Sequence, residues 1–233
     1  MNGEFPLNAR ILVINPNSTQ AVTDGIAQAV AGLALPGGPR IDCATLAEGP
    51  PGIETQRHVD GVVGPLCALI GREAADAYVI ACYSDPGLHS AREVTDKPVL
   101  GISECGLLTA CTMGERFGVV SILAGSIPRH LRAVRQMGLW DRMAGDRVLG
   151  LGVVELTDRA RVFDRMVSVA ADLRDKDGAN VLVLGCAGMA YLRADLEREA
   201  GIPVIDPTQA AVAMALGRVL LAQGDSLNRQ AAE

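Results

Sequence analysis

An apolar run that ends in a cysteine occurs twice in this chain, once in each half, and no other feature restricts the possible folds as much. The first copy is Ala77-Tyr78-Val79-Ile80-Ala81-Cys82 and the second is Val181-Leu182-Val183-Leu184-Gly185-Cys186. Both are short and continuously apolar, which predicts a strand buried on both faces. The surroundings repeat as well: Lys97-Pro98-Val99-Leu100 follows the first cysteine and Ile202-Pro203-Val204-Ile205 the second, with proline 16 and 17 residues beyond the thiol. Two similar halves would present two similar thiols. Facing each other across a cleft, they would reach a bound molecule from opposite sides, the arrangement required to take a proton from one face of a carbon and return one to the other.

A chain of 233 residues can bury a substantial core, and the half-length repetition divides it into two lobes. Hydrophobic residues make up 49% but aromatics only 3%, so the core is aliphatic, as where helices pack on a parallel sheet. The pattern along the chain agrees. Strands are predicted at Ile11–Ile14, Ile41–Leu46, the run before Cys82 and Val99–Ile102, and in the second half at Phe117–Ser121, Val148–Val153, the run before Cys186 and Val204–Ile205. Helical spacing fills the gaps: Asn17 or Ser18 to Leu33, Val59 to Ile70, a helix opened by Asp85-Pro86, Pro128 to Met137, Asp158 to Lys176, Tyr191 to Ala200, and Pro207 to about Ala222. Gln223 to Glu233 reads as a frayed tail. Alternating strands and helices imply parallel sheets, and ligands on such sheets bind beyond the carboxyl ends of the strands, where both cysteines lie.

With 21 Lys plus Arg against 27 Asp plus Glu, the net charge is −6 and no basic cluster carries interleaved aromatics, so nucleic acid is not an expected partner. Met1 to Arg10 lacks a signal-peptide pattern and Ile11–Ile14 is only strand-sized, so neither export nor membrane contact is expected and the cytoplasm is the predicted compartment. There six cysteines remain thiols. They form no Cys-x-x-Cys pair and have no histidine at ligand spacing apart from His89, seven residues after Cys82, so no structural metal site is expected. Glycine-rich dinucleotide or phosphate motifs and a Gly-x-Ser-x-Gly elbow are absent from the sequence, which points to cofactor-free chemistry on a small molecule.

An isolated cysteine at a strand end reads as a small buried hydrophobe. Two matched ones read differently, and Cys43, Cys67, Cys105 and Cys111, which do not repeat, keep the bland assignment. A helix start just after Cys82 and Cys186 would favour the thiolate and lower its pKa. Backbone N–H groups at Tyr83 and Ser84, or Ala187 and Gly188, could meet a carbonyl oxygen as it gains charge. Asn15 and Asn17 either orient a ligand or form a turn and cap, and Ser121 holds the matching place in the second half. Glu104 reads as a helix-start acid and His89 as a solvated helix residue.

Taken together, Ile11-Leu12-Val13-Ile14-Asn15-Pro16-Asn17-Ser18, Ala81-Cys82-Tyr83-Ser84-Asp85-Pro86-Gly87-Leu88 and Leu184-Gly185-Cys186-Ala187-Gly188-Met189 resemble the hydantoin racemase family of the Asp/Glu racemase superfamily, from about Arg10 to Ala222. The resemblance implies an α/β fold of two pseudo-twofold-related lobes, each a parallel sheet flanked by helices. Residues 1–102 with 208–233 would form the first lobe and 103–207 the second, with the active site between them. It also implies cofactor-independent racemisation by Cys82 and Cys186, with Asn15, Asn17, Tyr83, Ser84, Ser121, Ile122, Ala187 and Gly188 around the substrate. An assembly of identical chains is expected by analogy. Relatives often carry phenylalanine for Tyr83, glycine for Ser84 and two threonines for Ser121-Ile122, so the departures fall beside the substituent of the substrate ring. The expected substrates are 5-substituted hydantoins. Allantoin, a maleate-type cis/trans isomerisation and non-catalytic binding stay open as alternatives, whereas paired thiols disfavour a decarboxylase that keeps one.

Overall fold

A computed structural model describes residues 9–157 and 159–230. In the first half the elements run β1 (Arg10–Asn15), α1 (Gln20–Val30), β2 (Arg40–Thr45), α2 (Gln56–Gly61), α3 (Val63–Arg72), β3 (Ala77–Ile80), α4 (Leu88–Ala91) and β4 (Val99–Gly101). Helix α5 (Ile102–Met113) leads into β5 (Phe117–Ser121), α6 (Ile127–Gln136), β6 (Met143–Val148), α7 (Arg159–Asp175), β7 (Val181–Leu184), α8 (Arg193–Ala200), β8 (Val204–Ile205) and α9 (Pro207–Gln230). The sequence repetition is a structural one: the two four-stranded sheets have orders β2-β1-β3-β4 and β6-β5-β7-β8. Every pairing is parallel, and the registers correspond, Ile14 opposite Ile80 in one sheet and Val120 opposite Leu184 in the other.

Period-two alternation along the central strands builds three cores. Ile11, Val13, Val79, Val119, Val181 and Val183 face a core shared by both sheets, filled by Leu107 and Ala110 of α5 and Ala211, Val212 and Ala215 of α9. Their neighbours Leu12, Ile14 and Ile80 turn outward onto Leu66 and Ile70, while Val120, Leu182 and Leu184 turn onto Val162, Met166 and Leu173. Strands covered on both faces must be apolar throughout, which is why the cysteine-ended runs show no polar alternation. Helix α5 packs on α9 and on β7, and α9 returns across the chain to pack on β1 and β3.

Three expectations are corrected. The strand expected at Val148–Val153 is Met143–Val148, an edge strand of six partly exposed residues, so its pairing rests on backbone hydrogen bonds to β5 and leaves no apolar run to read. The segment Val59 to Ile70 is two helices that meet at Val62. Helix α9 does not end at Ala222 but continues to Gln230. Residues 1–8 and 231–233 of the expected first lobe lie outside the described residues.

Candidate active site

The two central strands of each sheet deliver their carboxyl ends to one place. Cys82 lies two residues beyond β3 and Cys186 two beyond β7, and both line a single cavity with Asn17, Tyr83, Ser84, Ile122, Ala187 and Gly188. Its cavity volume is about 30 Å³, and a neighbouring apolar cavity of about 290 Å³ shares Val22, Val153, Ala187 and Gly188 with it. Gly185 makes the close approach possible: a Cβ there would stand 2.8 Å from the carbonyl oxygen of Val120, inside contact distance.

Two of the expected site residues stand behind the wall. The Asn15 amide donates to Asn17 Oδ1 at 3.0 Å and to Thr23 Oγ1 at 3.0 Å, and its own oxygen accepts the Asn17 N–H at 3.2 Å. Asn17 Oδ1 in turn accepts the Thr19 N–H at 2.9 Å, ahead of α1. The turn-and-cap reading of Asn-Pro-Asn-Ser accounts for these contacts, and Asn17 also lines the cavity. Ser121 is fully buried, and its hydroxyl lies 3.2 Å from Nδ1 of His130.

Burial governs the thiols. Protein surrounds the sulfur of Cys82 closely enough to push its pKa up to about 12, against a smaller downward pull from the Ser84 N–H; the nearby Cys186 and Asp85 push it further up and the Arg129 guanidinium draws it down. Burial likewise raises Cys186 to about 11, opposed by the Gly188 N–H and aided by Glu54 and Asp206. The expected depression by a following helix is thus corrected. Cys186 is followed by a 3₁₀ turn, Ala187–Leu192, and the helix after Cys82 is the four-residue α4, starting six residues on. A helix so short brings little dipole, and single N–H contacts do not offset desolvation.

Asp85, expected to open a helix just after Cys82, caps a different one. It is the described non-glycine residue with positive φ, at 41°, and its carboxylate accepts the N–H groups of Ser103 at 2.9 Å and Glu104 at 2.8 Å at the start of α5. The turn carrying Cys82 is thereby tied to the helix that joins the two sheets. Replacing Asp85 by alanine removes a buried cap and is expected to lower stability by about 1–2 kcal/mol, read as a fall in the midpoint of thermal or urea unfolding.

Several groups at the cavity were missed in the sequence. Arg129 and His130, at the start of α6, line it. Arg129 donates to Gly125 O at 2.9 Å and reaches across to Glu54 O at 3.1 Å and Ser84 Oγ at 3.4 Å, all neutral acceptors. Glu54 ties the same loop back, accepting the Val153 N–H at 2.9 Å. A polar residue buried one turn from Val134 on an otherwise amphipathic helix was the available clue to His130. Elsewhere, His89 is exposed on α4 and Glu104 pairs with Arg92 at 2.6 Å, as expected of a solvated histidine and a first-turn acid. Among the described residues no cluster of three His, Cys, Asp or Glu side chains could hold a metal ion, and no helix is long and apolar enough to cross a membrane.

Two equivalent parallel sheets with a thiol at matching strand ends define a class, and comparison with known proteins agrees. Residues 11–215 match the Asp/Glu/Hydantoin racemase family. The hydantoin racemase of Paenarthrobacter aurescens is 37% identical over 218 residues, covering 91% of this chain and 92% of that protein. Among solved structures, the allantoin racemase of Klebsiella pneumoniae is 33% identical with a TM-score of 0.84, covering 92% of this chain and 89% of its own. That of Pseudomonas fluorescens is 30% identical with a TM-score of 0.86, covering 91% and 92%. The chain belongs to the Asp/Glu/hydantoin racemase family. It is an isomerase, a racemase.

Proposed function

We infer that this racemase inverts C5 of 5-substituted hydantoins, with Cys82 and Cys186 as the proton-transferring pair, and that the segments 1–102 with 208–233 and 103–207 act as the two lobes closing on the substrate. The single observation that supports this reading most is the convergence of both thiols on one cavity from equivalent strand ends. One cysteine, as thiolate, takes the C5 proton. The C–H electron pair moves into the ring and charge collects on the adjacent carbonyl oxygen, and the other cysteine, as thiol, protonates C5 from the opposite face and is left as thiolate. Atoms and charge balance, and the roles are reversed for the other enantiomer. Such a reaction needs neither metal nor redox cofactor, so dialysis against EDTA is expected to leave the rate unchanged while iodoacetamide abolishes it and bound substrate slows that loss.

The shared cavities suggest the substituent. The space between the thiols is water-sized, so a C5 group has to extend into the larger cavity lined by Val22, Val153, Leu156 and Ala190, which favours aliphatic or aromatic substituents. Allantoin, whose C5 group is a ureide, is the second reading. Arg129, with donors at the cavity wall and no carboxylate partner among the described residues, is the observation that favours it. Incubating enantiopure 5-benzylhydantoin and allantoin separately in D₂O decides between them. Deuterium entry at C5 with loss of optical rotation is expected for the benzyl compound. Exchange confined to allantoin would replace the apolar reading, and exchange of neither would remove both.

A further inference from the structure

His130 is a buried titratable group at the thiol cavity that the two-cysteine reaction does not use. Its side chain is 3% exposed and Nδ1 lies 2.8 Å from Oδ2 of Asp146, itself 1% exposed. Asp146 sits on β6, and its second oxygen has no hydrogen-bond partner among the described residues, so His130 is the group that answers this carboxylate. The Ser121 hydroxyl lies 3.2 Å from the same nitrogen. The ring also meets Tyr83, the residue after Cys82, edge to face at a centroid distance of 4.9 Å. Carboxylate, hydroxyl and aromatic ring together hold the imidazole in one orientation.

An ionised carboxylate only accepts, so the contact to Asp146 puts the ring proton on Nδ1 and leaves Nε2 of the neutral imidazole as an acceptor. No hydrogen bond to Nε2 is made within the described residues, and the ring lines the cavity that both thiols share. The two nitrogens of an imidazole point in divergent directions, so the one held by Asp146 and Ser121 turns its counterpart away from them. A hydantoin ring offers an acceptor two N–H groups, at N1 beside C5 and at N3 between the carbonyls. We propose that His130, fixed as the Nδ1–H tautomer by Asp146 and held in orientation by Ser121, accepts a ring N–H of the substrate and so orients C5 between Cys82 and Cys186. The contact rests on the hydantoin reading above. It makes His130 a substrate-positioning residue, with Asp146 acting through it, and gives Ser121 an indirect role.

Methylated substrates test this contact separately from the integrity of the fold. Racemisation of 5-benzylhydantoin, its 1-methyl and its 3-methyl derivatives is measured with wild type, His130→Leu and Asp146→Asn, each checked by thermal melting. In wild type one of the two N-methyl groups is expected to cost about 10–100-fold in kcat/KM, the effect of an unmade hydrogen bond at a buried acceptor. In His130→Leu the parent substrate loses a similar factor, and the methyl penalty shrinks to within threefold because no acceptor is left to disappoint. Asp146→Asn can donate to Nδ1, which moves the ring proton to Nε2 and turns the acceptor into a donor, so it too is expected to lose activity with the parent. Equal methyl penalties in wild type and His130→Leu would overturn the contact while leaving the hydantoin reading standing. So would a wild type indifferent to both methyl groups, whatever the fate of the variants. A wild type that turns over no hydantoin at all removes the substrate reading, and this contact with it.

Discussion

Replacing Cys82 or Cys186 by serine is expected to lower racemisation about 10³-fold, within the ~10²–10⁴ range typical of a lost general acid or base. A serine hydroxyl is far harder to ionise than a thiol, so the variant cannot supply a base from that side, whereas it can still place a weak acid there. The loss should therefore be asymmetric. Each single variant inverts slowly, by about that factor, but retains faster wash-out of the C5 proton from the one enantiomer whose hydrogen faces the surviving thiol. Following deuterium uptake and optical rotation together, on each enantiomer separately, reads both quantities. Cys82→Ser and Cys186→Ser should retain opposite enantiomers, since the two thiols come from different sheets. Full racemisation by either variant would end the two-thiol mechanism.

The dependence of kcat/KM on pH should be a steady climb through neutrality rather than a bell centred there. In the proposed mechanism the productive form holds one thiolate and one thiol, and burial penalises the thiolate, raising Cys186 to about 11 and Cys82 to about 12. The sign follows directly. Below the first ionisation of the pair both sulfurs are neutral and no base is present. The rate then rises about tenfold per pH unit as the first thiolate forms, and it falls only when the second is lost as an acid. Because both values lie on the alkaline side and each charge opposes the other, the fall belongs well beyond the neutral range. Measuring kcat/KM from pH 6 to 9.5, with correction for ionisation of the substrate ring, checks this. A plateau beginning below pH 8 would mean that some group offsets burial far more strongly than the Ser84 and Gly188 N–H contacts and Arg129 do. Arg129→Gln carries the same argument further: removing the guanidinium that draws Cys82 down is expected to lower the rate at pH 8 for the enantiomer whose hydrogen faces Cys82 and to leave the other enantiomer's climb in place.

Much of this architecture is legible because a doubly covered parallel strand cannot be polar on either face, so Ala77–Ile80 and Val181–Leu184 have to be continuous apolar runs. β6 escapes such a reading for the converse reason. Its residues are partly exposed and carry no such demand, and a strand held by backbone pairing leaves no trace in residue type. Asp85-Pro86 promises more helix than α4 delivers because it is a good local helix start, but the carboxylate finds a better use in the N–H groups of Ser103 and Glu104, 18 and 19 positions on. Local signals lose to a contact that only folding creates.

The amino-acid sequence by itself determined the duplicated parallel α/β plan, the family, and the matched placement of Cys82 and Cys186 at equivalent strand ends, because each follows from short-range pattern and repetition, which survive without coordinates. Tertiary structure decided what surrounds those thiols. Arg129 and His130 come from the start of α6, Glu54 from the loop before α2 and Asp146 from an edge strand, and nothing in their spacing along the chain reports that they meet. It also decided the electrostatics. The chain shows a cysteine at a strand end, which a nearby helix could activate, whereas the degree of burial that overrides such help is a property of everything packed around the sulfur.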